Sequence, residues 1–174
     1  MGHSWGGFST LNISAFHPDL SHVVVLSGFV SVDVIAERFG ALKKYITAIE
    51  KEANPTYASS EAVASLEKTN AKALLIYSDN DKMVNKESNY DILVSSLKAR
   101  ENTSFILEKN KDHNPNYTED AVKYFAEYLS ALNSKKKKLK TPEQKKAFVD
   151  SFDWDRMTKQ DESVWQKIFE HLAE

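Results

Sequence analysis

The chain has 174 residues, 41% hydrophobic and 28% charged, a balance that excludes a disordered or fibrous protein and suffices for one core. Its net charge of −2, with acids and bases mixed along the sequence, gives no global field for nucleic acid or an acidic membrane and leaves a small-molecule or peptide substrate as the expectation. It contains no cysteine, which excludes disulfides, thiolate catalysis and cysteine-ligated zinc.

The N-terminus reads Met-Gly-His-Ser-Trp-Gly-Gly, without the basic segment and apolar run of a secretory signal. No later stretch approaches about 18 consecutive apolar residues. A cytoplasmic location without membrane insertion is expected. Residues 8–17 place Phe8, Leu11, Ile13, Ala15 and Phe16 mostly on one side of a helix that Pro18 stops. His22–Leu26 is a β-branched apolar run of the kind buried on both faces of a parallel sheet. From Val32 to about Thr69 the pattern is helical, with Ile35, Phe39, Leu42, Tyr45, Ile46 and Ile49 at spacings of three and four and a break at Asn54-Pro55.

A second strand is predicted over Ala71–Tyr77, closed by the turn residues 78–81, followed by a helix over about Lys86–Ala99 and a third strand over Thr103–Glu108. A loop over Asn110–Asn116 leads into an amphipathic helix over Tyr117–Leu132. Alternating strands and helices predict an α/β fold with a parallel sheet. Lys135–Lys138 reads as part of a linker over 134–140. Two further helices, about Pro142–Ser151 and Gln160–Leu172, form a helical appendage over 141–174. There Trp154, Trp165 and Phe169 read as packing anchors rather than as a partner surface.

Gly2-His3-Ser4-Trp5-Gly6 has the G-x-S-x-G pattern, which puts a serine at the apex of a strained turn before a helix. Side chains at Gly2 and Gly6 are expected to crowd that turn, and Gly7 to let the helix pack closely. The pattern alone is moderately specific. Its weight comes from an aspartate and a histidine that follow in the order Ser, Asp, His, each in a loop after a predicted strand.

Gly-His-Ser-Trp-Gly-Gly (2–7), Leu-Leu-Ile-Tyr-Ser-Asp-Asn-Asp-Lys-Met-Val (74–84) and Asp-His-Asn-Pro (112–115) together resemble the landmarks of the α/β-hydrolase superfamily, over about residues 2–133. The resemblance implies a C-terminal part of that fold: about three parallel strands with flanking helices, and a cap-like helical insertion over 31–69. It implies Ser4 as nucleophile, Asp81 as acid with Asp79 as fallback, and His113 as base. The remaining histidines, His3, His17, His22 and His171, lack the base's placement.

By that reading the Trp5 amide donates to the oxyanion, and an ester, thioester or amide is cleaved through an acyl-enzyme. Peptidase, esterase, thioesterase and acyltransferase remain open. No cofactor and no metal site is expected, because no histidine pair has i, i+4 spacing and no calcium-loop pattern occurs. The cap's apolar residues are expected chiefly to cover the sheet.

Relatives carry strands before the elbow and a second oxyanion donor, whose loss costs about 100- to 1000-fold in turnover. The chain therefore reads as a fragment with little hydrolase activity of its own. Its strand at Val23–Leu26 would present a bare apolar edge that favours self-association. The alternative reading is a non-catalytic remnant or interaction module.

Overall fold

In the computed structural model, which describes residues 1–174, the β-branched run His22–Leu26 forms strand β2 at the centre of a four-stranded parallel sheet. The others are β1 (Gly2–His3), β3 (Lys72–Ser78) and β4 (Thr103–Glu108), in spatial order β1-β2-β3-β4. The sequence predicts three strands. The fourth, β1, pairs Gly2 with Val25 and His3 with Leu26, and the Ser4 amide continues the ladder to the Leu26 carbonyl at 3.0 Å. Two residues are too few to show a strand's apolar alternation. Part of the edge expected to be bare is thereby paired.

Alternation along β2 and β3 sends side chains to two layers. Val23, Val25, Ala73, Leu75 and Tyr77 pack under helices α1 (Trp5–Ile13), α5 (Ala62–Leu66) and α6 (Tyr90–Leu97), whose Phe8, Leu11, Leu66, Leu93 and Leu97 are buried there. Val24, Leu26, Leu74 and Ile76 face the other way. They meet Val164 and Ile168 of the C-terminal helix α10 (Glu162–Ala173). The expectation of an appendage apart from the core is thus corrected: an apolar sheet face needs cover, and α10 supplies it.

Between β2 and β3 lie α2 (Val32–Ala36), a 3-10 turn over Glu37–Leu42, α3 (Lys43–Ala53), α4 (Pro55–Ala58) and α5. Val32, Ala58, Ala62 and Leu66 join the core, whereas Phe39, Leu42, Tyr45 and Ile49 are exposed. Helix α6 starts at Tyr90, later than expected, because Asn85 Oδ1 instead accepts the amide of Ser88 in a turn. After β4, α7 (Glu119–Lys135) extends into the predicted linker. Its Tyr128 ring packs tilted against Phe148 of α8 (Pro142–Asp150) and edge-on to Phe152 and to Trp154 of a short helix α9 (Trp154–Met157).

Candidate active site

Three segments meet at the carboxyl ends of the strands: the turn between β1 and α1, the loop after β3, and the loop after β4. At the first, Ser4 has φ 56° and ψ −117°, a left-handed backbone that costs a non-glycine residue about 1–3 kcal/mol. Ser4 immediately precedes α1, yet its side chain makes no capping bond, so the hydroxyl is not consumed by the helix.

Gly2 explains part of the turn, since a Cβ there would run into the Gly6 carbonyl and Thr10 Oγ1. A Cβ on Gly7 would lie 2.7 Å from Gly28 Cα, which is how α1 seats against the end of β2. Gly6 departs from expectation: no atom lies within 4 Å of a Cβ placed there, because it faces open space. The Trp5 amide belongs to the first turn of α1, where N–H groups have no partner within the helix. The Trp5 ring stands edge-on to Phe29 with centroids 4.7 Å apart.

The Asp81 carboxylate is fully buried. Its Oδ1 accepts the amides of Met83 at 2.7 Å and Val84 at 2.8 Å, while Oδ2 accepts His113 Nδ1–H at 2.9 Å. Burial raises this carboxyl, but the His113 bond and charge and the two amides outweigh it and hold it below the usual carboxylate range. Asp79, the fallback, is elsewhere: it accepts the Asn110 amide at 2.9 Å and steadies the start of the β4–α7 loop. With α6 beginning at Tyr90, Asp81 is no helix cap.

The loop bearing His113 is tied down by residues that the sequence reading did not single out. Asp112 Oδ1 accepts both the His113 amide at 2.9 Å and the Lys82 amide at 3.1 Å, and Ser78 Oγ donates to the Asp112 carbonyl at 2.6 Å. Lys111, with its side chain only 3% exposed, donates to Asp161 Oδ2 at 2.7 Å and to the Pro115 carbonyl at 2.9 Å. His3 Nε2 donates to the His113 carbonyl at 2.7 Å. Nothing in the pattern Lys-Asp-His distinguishes a buried lysine, and His3 is legible only as a neighbour of Ser4.

The structure thus joins Asp81 to His113. It brings the segment carrying Ser4 against the same loop through His3, without a hydrogen bond between Ser4 and His113. Beside His113 a cavity of about 390 Å³ opens between the loops and α7, lined by Met83, Tyr117, Val122, Phe125 and Leu129. Asp and His each find their partner, and an imidazole so held has one ring nitrogen left for proton transfer.

No protein-family model and no curated protein matches the chain. Among solved structures it is similar to a puromycin-hydrolyzing peptidase of Mycobacterium tuberculosis, at 15% identity over 65% of this chain and 18% of that one, with a TM-score of 0.51. It is also similar to Est1E from Butyrivibrio proteoclasticus, at 18% identity over 75% of this chain and 60% of that one, with a TM-score of 0.50. The chain spans less than two thirds of either. At these identities the likeness establishes the fold.

Proposed function

We propose that this chain, whose parallel sheet and flanking helices are part of the α/β-hydrolase fold, is a serine hydrolase that cleaves an ester, thioester or amide of a small molecule or peptide. Ser4 is the nucleophile, His113 the general base and then acid, and Asp81 the group that orients the imidazole. The observation that carries this reading is the Asp81–His113 bond, made by a carboxylate with no exposure, in a loop cluster that also holds the strained, uncapped Ser4.

A carboxylate can only accept, so Nδ1 carries the hydrogen and Nε2 presents its lone pair. That lone pair takes the Ser4 proton as Oγ attacks the carbonyl carbon, and Asp81 stabilises the imidazolium. The Trp5 amide donates to the developing oxyanion. His113 returns the proton to the leaving group, and water repeats the sequence on the acyl-enzyme.

Mixing with p-nitrophenyl acetate tests the reading: with deacylation the slower step, a burst of about one equivalent of p-nitrophenolate precedes slow steady turnover. Ser4→Ala and His113→Ala lose the burst. Undiminished p-nitrophenolate release in Ser4→Ala contradicts the reading, and a folded wild-type chain that releases no more p-nitrophenolate than Ser4→Ala favours a non-catalytic interaction module.

A further inference from the structure

We infer that His3 is a positioning residue, whose imidazole holds the backbone and ring of His113 in place relative to Ser4; the inference rests on the reading of Ser4 and His113 just proposed. Two contacts converge. His3 Nε2 donates to the His113 carbonyl at 2.7 Å across 110 residues of sequence, and the two rings lie against each other with centroids 4.6 Å apart at 49°.

Each polar group of His113 but one is fixed by a different residue. Asp112 Oδ1 takes its amide, Asp81 Oδ2 takes Nδ1–H, and His3 supplies the donor for its carbonyl. Nε2 is left as the free atom. Asp81 and Asp112 hold His113 relative to β3 and its own loop, and neither hydrogen-bonds to the serine segment. His3 is the residue bonded covalently to Ser4, and its register on β2 is set by pairing with Leu26. A rigid link therefore runs from Ser4 through one side chain to the base. Its hydrogen bond needs a donor at the ring's far end, which an apolar side chain lacks and a glutamine amide supplies.

Charge is consistent with this role. The titratable groups facing His3 are His113 and Asp81. Burial pushes the His3 imidazole below its ordinary value, the neighbouring His113 adds to that, and the carbonyl bond and Asp81 only partly oppose them. A neutral His3 still donates from Nε2 and places no second cation beside the imidazolium formed on His113.

The test compares acylation rate constants from the p-nitrophenyl acetate burst in the full chain and in His3→Phe and His3→Gln, with thermal unfolding of each. His3→Phe keeps a ring against His113 and removes the donor; acylation is expected to slow about 10- to 100-fold, the scale of a small misplacement. His3→Gln restores the donor and is expected within about threefold of wild type, on the same grounds. Should His3→Phe fail to fold, His3→Asn, whose amide stops short of the carbonyl, takes its place with the same expected loss. Wild-type acylation in His3→Phe, or equal losses in His3→Phe and His3→Gln, overturns the inference while the wild-type burst keeps the serine reading standing. Absence of any Ser4-dependent p-nitrophenolate release from the folded wild type overturns both.

Discussion

Asp81→Asn slows acylation of Ser4 by about 10⁴-fold with the fold intact, the loss expected when the base is left in the wrong tautomer. The fold survives because Oδ1 of an asparagine still accepts the amides of Met83 and Val84. The damage falls on Oδ2. An amide NH₂ there donates to Nδ1, so the His113 hydrogen moves to Nε2, the atom that must receive the Ser4 proton. Burst amplitude and rate, with far-UV circular dichroism as the control for folding, measure the effect. A loss of only a few-fold would remove Asp81 from the mechanism.

Lys111→Met destabilises the protein by about 3 kcal/mol, the lower end of what removing one partner of a buried ion pair costs. The methionine keeps the aliphatic stem and deletes the charge. Asp161 loses its cation and the Pro115 carbonyl its donor, while Glu108 keeps Lys167 at 3.0 Å. Asp161 keeps some exposure, which places the effect at the lower end. Denaturant unfolding of Lys111→Met, Asp161→Asn and the double variant measures it, with the double variant losing less than the sum of the singles; unchanged stability in Lys111→Met contradicts the account.

The pair also sets an acid limit. Burial raises the Asp161 carboxyl, yet Lys111 and Ser163 bring it from 3.8 down to about 2. A carboxyl depressed in the folded state stabilises above its unfolded value, and that contribution is lost as pH falls through the folded one. Wild type therefore loses stability between about pH 4 and 2, and Lys111→Met loses less over that window.

Much of this arrangement is legible in the sequence, because the features concerned are local. The run Val23–Leu26 is apolar at every position, as a strand covered on both faces must be, and the structure covers both. Gly2 and Gly7 are needed for contacts within the turn and with β2, and both are signalled by the motif. What the sequence hides is long-range. Val164 and Ile168 mark an apolar helix face without saying which surface it meets, so α10 reads as an appendage until the sheet face it covers is seen. Gly6 looks as constrained as Gly2, but its surroundings are empty. Of two aspartates in one turn, Asp81 points inward to His113 and Asp79 to Asn110 at the start of the same loop, a choice made by tertiary packing.

The account depends most on Ser4 being the hydroxyl that His113 activates. Incubation with a fluorophosphonate, followed by intact mass and peptide mapping, tests that directly. The account predicts one phosphonyl adduct per folded chain, on Ser4, and none in Ser4→Ala or His113→Ala. An unlabelled folded chain, or an adduct on another residue that persists in both variants, would contradict it.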